Sequence, residues 1–317
     1  MKKVLITGAA GFIGFHLATH LHQRRDEVLG LDQFNDYYAT SLKKARAKLL
    51  HEWGVEVVTG SVTDKAFLEK VFDEFQPTHV VHLAAQAGVR YSITHPDAYI
   101  ENNVQGFLNL LEVLKERPNV ILTYASSSSV YGNGLKAPYK ESDPTERPES
   151  LYAVTKKSNE MMAQLYHKLY GIRTTGLRFF TVYGPWGRPD MAYYKFAKAI
   201  TAGEPIDVYN EGKLERDFTY IQDIVDGITL ALDKECACDI FNLGSHGPRP
   251  LMQFIHILEE TLGKKAELNF LPMQPGDVYT TSADLTHSKK VLGFDPKVPL
   301  EEGLGLFAEW FMKSKQS

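Results

Sequence analysis

Three glycines spaced three apart, Gly8, Gly11 and Gly14, follow directly on the apolar run Val4, Leu5, Ile6 and open a segment of helical character. A chain that leaves a strand and enters a helix through so short a turn needs positions without a β-carbon, both to bend and to let backbone approach a ligand. The first turn of such a helix presents unpaired N–H groups to an anion. The pattern predicts a strand over residues 2–7, a helix over 15–23 and a second strand over 28–31, one β-α-β unit. Asp32 ends that second strand, placed to accept both hydroxyls of an adenosine ribose and to repel a ribose phosphate. Gly8, Gly11, Phe12, Ile13, Gly14 and Asp32 are therefore candidate residues for holding NAD rather than NADP. A competing reading makes Asp32 a loop cap beside Asn35; Lys43 and Lys44, in the next helix, read as solvated charges.

The same alternation continues down the chain. Strands are predicted over 55–58, 79–83, 120–124 and 174–179, and helices over 66–75, 99–114 and 152–170. The last rests on the spacing of Leu151, Val154, Met161, Leu165 and Leu169. Short apolar strands without strict polar alternation, separated by helices, predict an α/β fold, a doubly wound parallel sheet of Rossmann type. After Tyr183 the run Gly184, Pro185, Gly187, Pro189 breaks the pattern, and helices over 191–202, 252–262 and 300–311 suggest a smaller, discontinuous C-terminal substrate domain. The expected division is residues 1–182 continued by about 216–245 for the cofactor, and 183–215 with 246–317 for the substrate. A length of 317 residues agrees with two domains of roughly 150 residues each.

Lys plus Arg number 35 against 39 Asp plus Glu, a net charge of −4, which argues against a nucleic-acid or anionic-membrane surface. No run approaches the about 20 apolar residues of a membrane crossing, so a soluble, cytoplasmic protein is expected. Cys236 and Cys238 have no second pair to complete a zinc site, and His79, His82 and His95 lack ligand spacing, so no metal is expected.

Tyr152 and Lys156 stand four apart near the start of a predicted helix, so both side chains leave one face. A phenol with an ordinary pKa of about 10 serves as a base near neutrality only if a neighbouring cation favours its anion. Lys156 can supply that cation and also hold the nicotinamide ribose. Ser127 ends the preceding strand, on the edge where ligands bind in such sheets, and can bridge a substrate hydroxyl to Tyr152; Ser128 and Ser129 are its neighbours. Asn103 has two open readings, a support close to Lys156 or a buried structural amide.

On the runs TGAAGFIG from Thr7, HLAAQAGVRYS from His82, YASSSSVYG from Tyr124, LYAVTKKSNE from Leu151, LRFFTVYGPWGRPDMA from Leu177, RDFTYIQD from Arg216 and LPMQPGDV from Leu271, the sequence resembles the extended short-chain dehydrogenase/reductase family. Within it, TVYGPWGRPDMA and AAQAGVRYS resemble the UDP-glucuronate 4-epimerase branch. The resemblance implies Ser127, Tyr152 and Lys156 as catalytic residues, Thr181 and Arg188 beside the substrate carboxylate, Arg216 near the diphosphate, Ser129 at the substrate and a homodimer formed through a helical bundle. It departs at Ser61-Val62, where many relatives carry an aspartate beside adenine, and at Gln274, where relatives acting on other nucleotide sugars often carry arginine.

The implied reaction is NAD-dependent 4-epimerisation of UDP-glucuronate to UDP-galacturonate through a 4-keto sugar. Alternatives are epimerisation of a neutral UDP-hexose, decarboxylation of UDP-glucuronate, 4,6-dehydration, and a non-catalytic NAD-sensing protein. Dehydratases of this family carry an Asp-Glu pair where this chain has Ser128 and Ser129, and decarboxylases usually carry a Glu at the second place. Arg188 favours an acidic sugar if it would otherwise be a buried cation without a partner; the competing reading pairs it with Asp190. Arg90 is open between enclosing the sugar and lying on the surface, Arg216 has a competing reading as an ion pair with Asp217, and Tyr183, Trp186 and Tyr209 are open between a uracil site and a small-domain core.

Overall fold

The computed structural model describes residues 1–245, 247–273 and 278–314. Seven strands form one parallel sheet: β1 (Lys3–Thr7), β2 (Glu27–Asp32), β3 (Glu56–Thr59), β4 (His79–His82), β5 (Ile121–Ser127), β6 (Thr174–Phe179) and β7 (Cys238–Leu243). Their order across the sheet is β3-β2-β1-β4-β5-β6-β7, with every pairing parallel.

Side chains alternate faces along a strand, and β1 has both faces covered. Val4 and Ile6 enter one core with Phe12, Leu17 and Phe241, whereas Leu5 enters the other with Phe107, Leu110 and Leu122. Each such side chain, fully shielded from water, contributes about 1.5–3 kcal/mol to folding. The helices that supply the covering include α1 (Phe12–Gln23), α2 (Thr40–Glu52), α3 (Lys65–Phe75), α4 (Gly106–Lys115), α5 (Leu151–Tyr170) and α6 (Ile221–Lys234). Between β1 and β4 the order of the strands reverses direction, so connections leave to opposite sides and open a crevice at the C-terminal strand ends.

A second core gathers helices Ala192–Ala202, Leu251–Leu262 and Leu300–Ser314 around Phe218 and Phe254, whose rings stack at 4.3 Å. Three sequence expectations change here. Helix α5 forms, capped by Ser150 at its start and by Gly171 at φ 72 at its end, but Val154, Met161, Leu165 and Leu169 face outward and are exposed. Its buried face is Ala153, Thr155, Lys156, Asn159, Glu160 and Ala163, a largely polar set. Apolar spacing located the helix and pointed to the wrong face, because the inner face is engaged in hydrogen bonds. Second, the helix expected over 99–114 is interrupted by a π-helical stretch, Ile100–Gln105, ahead of α4. Third, residues 286–294, which fall in the range 246–317 assigned to the smaller region, form a helix, Thr286–Leu292, that was not expected and place Leu292 and Phe294 in the core of the large sheet.

Candidate active site

The crevice widens into a cavity of about 1130 Å³ between the sheet and the second core, larger than the 300–1,000 Å³ usual for a single drug-sized ligand. Gly8, Gly11, Phe12, Ile13, Gly14 and Asp32 line one end; Ser127, Ser129, Tyr152, Lys156, Thr181 and Arg188 line its middle, and Arg216 lies further along. The structure thus brings these candidates to a single space, whereas Asn103, Tyr183 and Trp186 do not line it.

At the cofactor end the glycines are required by geometry. Gly8 has φ +76, and a β-carbon on Gly14 would stand 2.2 Å from the Gly8 carbonyl oxygen. Helix α1 begins at Phe12, earlier than the sequence suggested, and Gly11 offers no side-chain cap, which leaves the first-turn N–H groups for an anion. Asp32 accepts from the Ala10 N–H at 3.0 Å and the Phe34 N–H at 2.8 Å, so it braces the turn, combining the cap reading with its place on the cavity wall. Burial raises its carboxyl pKa, and the Phe34 N–H and Lys43 oppose that rise.

Lys43 is not a solvated charge. It is buried, lines the cavity, and donates to the Asn35 carbonyl at 2.8 Å and to the Asn35 side chain. Around the expected adenine position, Ser61 Oγ donates to Gln33 Oε1 at 3.1 Å, and Gln33 reaches Asn102 at 3.0 Å. Gln86 Nε2, on the cavity wall, is buried with no hydrogen-bond partner among the described residues. A buried donor left this way is costly unless a ligand accepts from it. A β-carbon-free cradle, an uncapped helix start and an orphan donor together fit a dinucleotide.

At the chemical centre, Ser127 donates to Ser129 Oγ at 3.1 Å and accepts from the Ser129 N–H. Lys156 Nζ donates to the Ala125 carbonyl at 2.8 Å, and desolvation pushes its pKa down to about 8. Burial raises the Tyr152 phenol; the Ser127 hydroxyl and the Arg188 guanidinium oppose that rise. The Arg188 guanidinium is thus a cation that bears on the phenol, a link that the Tyr152–Lys156 spacing did not suggest. Asn103 is the structural amide: it pins both backbone groups of Gln86, at 2.7 and 2.9 Å, and donates to Thr155 Oγ1 at 3.0 Å.

Arg188 forms a bidentate pair with Asp190, Nε to Oδ1 at 3.0 Å and Nη2 to Oδ2 at 2.5 Å. The competing sequence reading is therefore the one realised, and the argument that Arg188 would be a buried cation lacking a counter-ion is corrected. Tyr37 donates to Asp190 Oδ2 at 3.0 Å, tying the loop after Asp32 to the loop that carries Arg188. Arg46, fully buried and unread in the sequence, makes a second tie: Nη1 to the Ala10 carbonyl at 2.9 Å, Nη2 to the Trp186 carbonyl at 2.5 Å. Only the tyrosine pair in FNDYY could have signalled Tyr37, and nothing in the sequence marked Arg46.

Arg216 donates to the carbonyls of Glu215 and Tyr279, at 2.9 and 3.1 Å. Asp217, its suggested partner, is buried and accepts from the Ser245 and Ala283 N–H groups and from Thr219 Oγ1. Arg90 lies 4.9 Å from the Tyr209 ring centroid, and both line the cavity. Tyr183 belongs instead to the second core, and Trp186 packs on Phe15 and Trp310. Gln274 lies outside the described residues. Among those residues no group of three potential metal ligands occurs, and no helix is long and apolar enough to cross a membrane.

A Rossmann sheet whose crevice carries serine, tyrosine and lysine beside a glycine turn defines a dinucleotide-dependent enzyme of the extended short-chain dehydrogenase/reductase type. The chain belongs to the NAD dependent epimerase/dehydratase family, whose model matches residues 4–244. It is 48% identical to UDP-glucuronate 4-epimerase 3 of Arabidopsis thaliana over 98% of this chain and 76% of that one. The crystal structure of UDP-glucuronic acid 4-epimerase from Bacillus cereus, in complex with UDP-glucuronic acid and NAD, superposes with a TM-score of 0.91 at 33% identity, covering 98% of this chain and 99% of that one. A UDP-glucose 4-epimerase from Thermotoga maritima, solved with UDP-glucose, gives 0.90 at 31% identity over 98% and 99%.

Proposed function

We propose that this protein is an NAD-dependent UDP-glucuronate 4-epimerase, interconverting UDP-glucuronate and UDP-galacturonate. The observation that carries the reading is the convergence of Ser127, Tyr152 and Arg188 on one cavity wall, in a chain whose relatives include UDP-glucuronate 4-epimerases from a plant and a bacterium. Gly8, Gly11, Phe12, Ile13, Gly14 and Asp32 hold NAD, with Lys156 on its nicotinamide ribose. Bound there, NAD supplies an acceptor for the hydride of sugar C4 and its donor on return, so the reaction needs no second redox substrate.

Tyr152 takes the proton of the 4-hydroxyl and gives it back after the keto sugar has turned over in the pocket; Ser127 bridges the two oxygens. A 4-ketone makes the C6 carboxylate prone to leave as carbon dioxide. Arg188 and Thr181 hold that carboxylate near the ring plane, where the bond to C6 overlaps poorly with the carbonyl, and Ser129 and Arg216 hold the rest of the UDP-sugar. Residues 1–182 with about 216–245 carry the cofactor, and 183–215 with 246–317, apart from the helix Thr286–Leu292 that packs on the large sheet, carry the sugar nucleotide. A second copy of the chain covers the exposed stripe Val154, Met161, Leu165, Leu169 of α5, giving a homodimer that Met161→Lys would convert to monomer in sedimentation. A homodimer of this kind, with no nucleic-acid or membrane partner, works in the cytoplasm.

Incubation with UDP-glucuronate and catalytic NAD⁺, followed by chromatography, tests the reaction. UDP-galacturonate without carbon dioxide is expected; a UDP-pentose product, or none, overturns it. Tyr152→Phe abolishes turnover and leaves NAD bound.

A further inference from the structure

The guanidinium of Arg188 has two edges able to grip a carboxylate. Asp190 occupies the edge formed by Nε and Nη2, no second carboxylate pairs with Arg188 among the described residues, and both residues line the cavity. Their side chains keep 22% and 25% of their exposure, unlike those of a sealed core pair. The Tyr37 hydroxyl, donating to the Asp190 oxygen that Arg188 Nη2 also contacts, fixes the carboxylate from a different loop. Arg188 is thus neutralised and oriented before any sugar arrives.

Resting on the reading of the site as a nucleotide-sugar 4-epimerase, we propose that Asp190 determines its sugar specificity, as a built-in counter-charge that lets Arg188 face either an acidic or a neutral group at C6. With an acidic sugar, the remaining edge of Arg188 donates to the sugar carboxylate, and three charges stand in a row with Arg188 in the centre. Asp190 then lies one guanidinium away from a like charge, which weakens the acidic ligand. With a neutral sugar no cation is stranded, because Asp190 already balances it, and the desolvation penalty of an unpaired buried arginine does not arise. Burial by itself would raise the Asp190 carboxyl, but Arg188 holds it below the ordinary carboxylate range, so the counter-charge persists throughout neutral pH. Asp190 touches no reacting atom and acts through Arg188: it is a positioning residue that sets selectivity.

The test is the ratio of kcat/KM for UDP-glucuronate to that for UDP-glucose, in wild type, Asp190→Asn and Asp190→Glu. Asp190→Asn raises the ratio about tenfold or more, by tighter binding of the acidic sugar and weaker binding of the neutral one, and the change falls in KM more than in kcat. Asp190→Glu, which restores the charge, returns the ratio to within about threefold of wild type. A merely structural role lowers both substrates together and leaves the ratio unchanged; that outcome, or a fall in the ratio, overturns the proposal. If Asp190→Asn does not fold, the dissociation constants of the two sugars on wild-type protein with NAD decide: a neutralised arginine keeps them within about tenfold of each other, and any wider gap overturns the proposal. Wild-type protein that turns over neither sugar defeats the functional reading itself, whereas turnover with an unmoved ratio defeats only the role of Asp190.

Discussion

Two arginine–carboxylate pairs of the same chemistry occupy opposite kinds of place in this molecule. Arg178 on β6 and Glu160 on α5 are 2% and 1% exposed, and every nitrogen of the guanidinium is used: Nε and Nη2 on Glu160, Nη1 on the Tyr131 hydroxyl and the Glu141 carbonyl. Glu160 also accepts from Ser126 at 2.6 Å, and so anchors the strand end next to Ser127. Burial alone would raise the Glu160 carboxyl, but the Arg178 contacts hold it below its ordinary range. Arg188 and Asp190 repeat the bidentate contact on the cavity wall, with Nη1 on no carboxylate among the described residues. Complete satisfaction makes the first pair a brace, and incomplete satisfaction makes the second a binding group.

The largest effect comes from breaking the brace. Glu160→Gln is expected to cost about 3–5 kcal/mol in urea unfolding, because it leaves Arg178 a buried cation without its counter-ion, while Asp190→Asn costs under about 1 kcal/mol. Equal losses would erase the distinction between the two pairs.

Lys156 extends the comparison to a buried cation with no carboxylate partner among the described residues. Its pKa, about 8, lies below the ordinary 10.5, so between those values the unfolded chain binds more protons and stability rises with pH. Lys156→Met should therefore gain on the order of 2 kcal/mol relative to wild type below pH 8, an advantage that fades as the pH approaches 10.5, while turnover is lost with the lysine's hold on the nicotinamide ribose. Melting curves of both proteins across that range would expose a constant difference if the lysine carried no such penalty.

Arg188→Met sharpens the other side of the contrast. It is expected to raise the KM for UDP-glucuronate about tenfold, some 1.4 kcal/mol, and to shift Tm by less than about 3 °C. Tyr131→Phe removes the hydroxyl that bridges Arg178 and Asn242 in the brace and is expected to cost about 1 kcal/mol with the KM for either sugar unmoved.

The cofactor end was legible because it depends on local chemistry. A turn with Gly8 at positive φ and no room for a β-carbon on Gly14 leaves its mark directly in the residue types, and Asp32 follows at the next strand end. The sugar end was only half legible. Arg188 and Asp190 are two residues apart, yet whether the guanidinium fork was free or occupied depended on side-chain orientation and on Tyr37, distant in sequence. Arg46 was invisible for the same reason, since its partners Ala10, Tyr38, Trp186 and Gly187 come from segments that only the fold assembles. Helix α5 makes the point in reverse: its period was readable and its orientation was not, because an apolar stripe buries itself equally well against the sheet or against another chain.

By itself the sequence determined the doubly wound sheet, the glycine turn and the serine, tyrosine and lysine that meet at its crevice, since strand period, β-carbon sterics and helical spacing act over a few residues. Only the tertiary structure decided which charges are already balanced, which face of α5 looks outward and which loops are tied together, because Coulombic pairing and burial depend on groups that the chain brings close from far apart.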